Sequence, residues 1–127
     1  MPNKRILVVD DDPDHLLICK LILERRLFEV LALAGCDPLV NFIEEVRMFQ
    51  PDLIFLDHQM PGVCGQEVIK ELRGESDLRM IPIIYFSAQT ELEELAKQVG
   101  ADDFIKKPFV IDHLVALARK YSDLTAA

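Results

Sequence analysis

Asp10, Asp11, Asp57, Ser87 and Lys107 are the residues whose types and places could do chemistry together. Asp57 follows four apolar residues, Leu53-Ile54-Phe55-Leu56, and precedes the chain-breaking pair Pro61-Gly62. An apolar run closed by turn residues reads as a strand buried on both faces. A carboxylate where such a strand leaves the core is costly unless something there uses it. Asp also starts turns, so Asp57 alone decides nothing. The pattern repeats, however. Asp10 and Asp11 follow the run Arg5–Val9, Ser87 follows the apolar run 81–86, and Lys107 comes just after Phe104-Ile105.

Three carboxylates gathered at one rim would repel one another, and a hard divalent cation removes the conflict. Mg2+ takes oxygen ligands at about 2.1 Å and keeps several waters. Asp11 and Asp57 could bind it directly, Asp10 through a water, and the backbone carbonyl of Gln59 could complete the protein's share. Asp12 is left out because it stands before Pro13, where a helix N-cap belongs. The metal leaves Lys107 and Ser87 unused. A phosphoryl group on Asp57 would use everything, with its oxygens meeting Mg2+, the Lys107 ammonium and the Ser87 hydroxyl. Carboxylates are known phosphoryl nucleophiles, and the transfer needs mainly positioning and charge neutralisation. The plain readings are turn residues for the acids and a solvated surface lysine for Lys107. Lys106 fits that surface role, since strand side chains alternate in direction.

These residues need elements to bring them together, and strand-like and helix-like segments alternate five times. Arg5–Val9 reads as a strand. Pro13 to Arg26 reads as a helix with its apolar stripe at Leu17, Ile18, Leu21 and Ile22. Phe28 to Leu33 is a second strand, and Asp37-Pro38 repeats the helix-start signal before Leu39, Val40, Phe42, Ile43 and Val46. After the strand 52–56, Val68, Ile69 and Leu72 mark a third helix. A strand over 81–86 follows. Thr90-Glu91-Leu92-Glu93 fits a capping box ahead of a fourth helix that ends at Gly100. Phe104-Ile105 centres a fifth strand, and Val110 to Tyr121 closes the chain as a helix. Five βα units predict one α/β domain over residues 1–127, a doubly wound (βα)5 parallel sheet. Right-handed crossovers favour strand order 2-1-3-4-5. In such sheets ligands bind beyond the carboxyl ends of the strands, where the order reverses between strands one and three. The acids, the hydroxyl and the lysine all fall at that rim.

The chain has 127 residues, half of them apolar, and a net charge of −8. One core suits that length. The negative charge argues against non-specific contact with nucleic acid or anionic lipid. No apolar run approaches the ~20 residues that span a bilayer, and the start lacks a signal peptide. The expectation is a cytoplasmic protein with neither direct nucleic-acid contact nor membrane insertion. Cys19, Cys36 and Cys64 lack metal-type spacing, which argues against structural zinc and a disulfide framework. Cys19 reads as core.

Val8-Val9-Asp10-Asp11, then Asp57 with Met60-Pro61-Gly62, then Ser87-Ala88, then Lys107-Pro108-Phe109 resemble the response regulator receiver domains of two-component signalling, in order and over nearly the whole chain. The likeness is to single-domain, chemotaxis-regulator-like members with a flavodoxin-like fold. It implies that Asp57 accepts a phosphoryl group from a phosphohistidine on a sensor histidine kinase or histidine phosphotransfer protein. It also implies that Asp10 and Asp11 serve a Mg2+ site and that Lys107 contacts the phosphate. Ser87 and Phe104 would be the switch residues. The face formed by the fourth and fifth predicted helices and the fifth strand would then change its preference for an unknown downstream protein, with homodimerisation on phosphorylation one outcome. Cys64 stands where the family often has Asp. His58 and Gln59 read as rim residues, and His15 and His113 as incidental helix residues.

On this reading the protein is not an enzyme, beyond catalysing its own phosphorylation and dephosphorylation. Two alternatives stay open. A haloacid-dehalogenase-like phosphatase also uses Asp and Mg2+, but it usually carries a cap domain for which this chain has no room. A phosphate-independent interaction module would keep only the fold. No output segment is legible after the last helix, so a stand-alone regulator, a relay and an excised domain all fit.

Overall fold

Five short runs rich in β-branched and aromatic residues form one parallel sheet in the computed structural model. That structure describes residues 3–57, 62, 65–87, 97, 100–107 and 110–123, with only the backbone at Ser87. The strands are β1 (Arg5–Val9), β2 (Glu29–Leu33), β3 (Leu53–Asp57), β4 (Ile83–Ser87) and β5 (Asp103–Lys106). Their order is β2-β1-β3-β4-β5, as the alternation predicts. The described helices are α1 (Pro13–Arg25), α2 (Leu39–Phe49), α3 (Gly65–Gly74) and α4 (Ile111–Asp123). The fourth predicted helix lies outside the described residues apart from Lys97, which is helical.

Alternation along the strands divides the core into two layers. Leu7, Val9, Ile54, Leu56, Ile83 and Tyr85 face α2 and α3. Ile6, Val8, Leu53, Phe55, Ile84 and Phe86 face α1 and α4. Every residue of β3 is buried, which is why the segment carries no polar alternation. The result is the doubly wound, flavodoxin-like architecture.

Two expectations need correction. The stripe Leu17, Ile18 and Leu21 is about half exposed rather than core. α1 instead buries Cys19 and Leu23, with Leu16 and Ile22 half-buried beside them. A run this apolar satisfies the helical period in two phases, and packing selects the other one. α2 begins one residue later than Asp37-Pro38 suggests. Pro38 is its N-cap, without a side-chain cap, and Asp37 makes no cap bond.

The register brings the residues at the carboxyl ends of the strands into line. Val9 pairs with Leu56, Asp57 with Phe86, and Ser87 with Lys106. Asp10 therefore emerges level with Asp57 on the adjacent strand. Beyond β5, Lys107 emerges next to Ser87. The Tyr121 hydroxyl donates to Asp103 Oδ2 at 2.7 Å and fixes α4 against the start of β5.

Candidate functional site

β1 ends in a buried acid. Asp10 is fully buried, and its amide donates to the Leu33 carbonyl at 3.1 Å, extending the β1–β2 ladder by one residue. Asp11 is exposed, and Asp57 is buried as the last residue of β3. Carboxylate oxygens of Asp10, Asp11 and Asp57 all lie within 4.8 Å of one another. An all-oxygen cluster of this size fits a hard divalent cation that retains part of its water shell. Asp12 plays the role expected of it: its Oδ1 accepts from the Asp14 and His15 amides and caps α1. An acid so occupied is poorly placed as the second catalytic acid of a phosphatase.

Lys107 enters this cluster from beyond β5. Its Nζ donates to Asp10 Oδ2 at 3.0 Å, lies 3.7 Å from Asp57 Oδ2, and sits 5.1 Å from the centre of the Phe86 ring. Lys106, by contrast, is exposed. The one-residue change in direction makes one lysine a site residue and leaves the other in solvent.

Electrostatics separates the two buried acids. Burial alone would push the Asp10 carboxyl up. Hydrogen bonds from His15, the Asp12 amide and Lys107 outweigh it and hold Asp10 well below the usual carboxylate range. Burial, and then the Asp10 carboxylate, push Asp57 up to about 7, against the pull of Lys107. Without a cation, the site therefore keeps one charged acid and favours a proton on the other. A divalent ion held by these acids would favour the ionised form of Asp57.

The remaining expected residues are placed only in part. Ser87 ends β4 on the same rim. Phe104 is half-buried against the α2–α3 core layer. Gln59, His58, Cys64, Pro108 and Phe109 lie outside the described residues. Cys19 is buried as expected, and so is Cys36.

His15 is a correction. Far from incidental, its Nδ1 is hydrogen-bonded to Asp10 Oδ2, and its ring lies 5.2 Å from that of Phe86. The sequence held a signal for this. Helical side chains lean toward the N-terminus, so a residue in the first turn after the Asp12 cap leans back toward the end of β1.

The response regulator receiver domain family matches this chain over residues 6–119. The phosphate regulon transcriptional regulatory protein PhoB of Escherichia coli is 40% identical over 116 residues, which is 89% of this chain and 49% of PhoB. The DNA-binding response regulator MtrA of Mycolicibacterium smegmatis is 35% identical over 119 residues, 92% of this chain and 50% of MtrA. The chain spans about half the length of these curated relatives. Among solved structures, the signal receiver domain of a signal transduction histidine kinase from Syntrophus aciditrophicus shares 29% identity and a TM-score of 0.83. The match covers 96% of this chain and 92% of that one.

Proposed function

This chain belongs to the response regulator receiver domain family, and we propose that it is a phosphorylation-switched signalling module with Asp57 as its phosphoryl acceptor. Receiver domains are signalling modules rather than enzymes that turn over an external substrate. The observation that carries the assignment is the convergence of Asp10, Asp11 and Asp57 within 4.8 Å, with Lys107 bonded to Asp10 and 3.7 Å from Asp57.

In this reading an Asp57 oxygen attacks the phosphorus of a phosphohistidine on a sensor kinase or phosphotransfer protein. The nitrogen–phosphorus bond breaks. Its electron pair stays with the donor imidazole, which leaves as the neutral ring when its other nitrogen carries a proton. The product is an acyl phosphate on Asp57. Mg2+, held by Asp11 and Asp57 directly, by Asp10 through water and by the Gln59 carbonyl, would neutralise charge on the phosphoryl oxygens. Lys107 offers an ammonium within reach of the same oxygens, and Ser87 offers a hydroxyl from the end of β4.

The output is a population shift. Ser87 is drawn toward the phosphoryl group, Phe104 repacks, and the face containing β5, α4 and the predicted helix before Gly100 changes its partner preference. Driving such a change from 1:99 to 99:1 takes about 5.5 kcal/mol. Hydrogen bonds to charged groups, at about 1.5–3 kcal/mol each, reach that order when Lys107 and Ser87 act together.

PhoB is, by its name, a transcriptional regulator, and MtrA is DNA-binding; this chain matches half of each. The expected lack of nucleic-acid contact is proposed for these residues only. Among the described residues, no helix is long and apolar enough to cross a membrane.

Incubation with acetyl phosphate and Mg2+ followed by intact mass measurement tests the assignment. One phosphoryl group per chain is expected, and none on Asp57→Asn. An unmodified wild-type chain would overturn it.

A further inference from the structure

The Asp10 carboxylate has an unusually full set of partners. Its Oδ1 accepts the Asp12 amide at 2.9 Å. Its Oδ2 accepts both the Lys107 ammonium at 3.0 Å and the His15 ring at Nδ1. An ionised carboxylate only accepts hydrogen bonds, so Nδ1 is the protonated nitrogen in this contact. A carboxylate offers about four acceptor positions. Those on Oδ2 are both engaged, and the Asp57 carboxyl, while it carries a proton, is a further donor to Asp10 whose ionisation frees an acceptor position.

His15 reaches Asp10 because of local structure. Asp12 caps α1 and Pro13 begins it, so His15 falls in the first turn. Its side chain is 15% exposed, with the ring tilted by 51° against Phe86. Among the described residues, the ligand atoms within 4.8 Å of one another are those of the three acids, without the imidazole. His15 is thus set behind the metal cluster rather than in it.

We propose that His15 is a positioning residue that holds Asp10 in the one orientation suited to a water-mediated contact with Mg2+. Pinned at Oδ2 by His15 and Lys107, Asp10 keeps its remaining acceptor capacity on Oδ1 for a water of the hydrated ion. Groups that hydrogen-bond a metal's carboxylate partners set its affinity in this way, and their loss typically weakens binding about 10–100-fold. The proposal rests on the Mg2+ reading of the site.

Calorimetric titration with Mg2+ alone, without a phosphoryl donor, separates the two claims. His15→Leu should bind Mg2+ at least about tenfold more weakly than wild type. His15→Asn places an amide nitrogen near the position of Nδ1 and should recover most of that loss. Equal affinity for wild type and His15→Leu would overturn the proposal while leaving the metal site intact. Equal weakness of His15→Leu and His15→Asn would assign the effect to ring packing on Phe86, which also overturns it. A wild-type chain that binds no Mg2+ would overturn the metal reading and this proposal with it. Should His15→Leu fail to fold, the His15 tautomer in wild type, read by long-range nitrogen–proton NMR, decides the matter: Nδ1 carrying a proton supports the proposal and a bare Nδ1 overturns it.

Discussion

Lys107 and Asp10 lie 97 positions apart in sequence, yet the lysine Nζ stands 3.0 Å from a carboxylate oxygen that is fully buried. The contact joins the end of β1 to the end of β5, across the sheet positions held by β3 and β4. It neutralises one of the two buried acids and leaves Asp57, 3.7 Å from the same ammonium, as the less stable charge.

Removing that ammonium leaves Asp10 short of a partner. Lys107→Met is expected to destabilise the chain by about 1–3 kcal/mol near neutral pH, since a buried charge loses a charge-assisted bond. It should also slow phosphorylation by acetyl phosphate. Urea unfolding and mass-monitored time courses check the two parts. Unchanged stability would show that the lysine contributes nothing to holding Asp10.

The two acids give opposite pH dependences. A folded-state carboxyl near 7 lies above its unfolded value, so the folded chain binds the extra proton and loses stability as pH rises from about 4 toward 7. Asp10 is held low, so its contribution is present above about pH 4 and is lost as pH falls below it. The metal-free melting temperature should therefore fall between about pH 4 and pH 7, and saturating Mg2+ should reduce the fall. A melting temperature that rises across this range would contradict the assignment.

Asp57→Asn removes the ionisation that drives this fall. The metal-free variant should match wild type near pH 4 and exceed it increasingly toward pH 7, by up to a few kcal/mol at ~1.4 kcal/mol per pKa unit. Denaturant titrations at the two pH values measure the difference. A variant that keeps the wild-type slope would move its origin away from Asp57.

Gly62 lies beyond β3 and offers a test of backbone conformation there. Its φ of +84° lies in the left-handed region, and a Cβ there would meet Asp37 Oδ2 at 2.6 Å. Gly62→Ala should cost about 1–2 kcal/mol, mostly from the backbone, because the end of the Asp37 side chain can move aside. Adding Asp37→Ala should recover only a minor part. Full recovery would show that the clash, not φ, sets the cost.

Much of the arrangement was legible because it follows from periodicity and strand ends. Five apolar runs alternating with helical stretches favour the observed sheet order, and the order carries Asp10, Asp57 and Lys107 to one rim. The exposed side of α1 was not legible, because Leu17, Ile18 and Leu21 keep the helical period as well as Leu16, Cys19 and Leu23 do. Only contact with the sheet selects the phase. The start of α2 is ambiguous in the sequence because an Asp-Pro pair signals a cap equally well one residue away. The role of His15 is hidden in the spacing, because its tie to Asp10 depends on side-chain direction.

Reductive trapping measures the central claim most directly. Borohydride converts an aspartyl phosphate to homoserine, and peptide mass mapping then locates it. After treatment with acetyl phosphate and Mg2+, homoserine is predicted at position 57 alone, and omission of Mg2+ should suppress it. Homoserine at another aspartate, with Asp57 unchanged, would contradict the account.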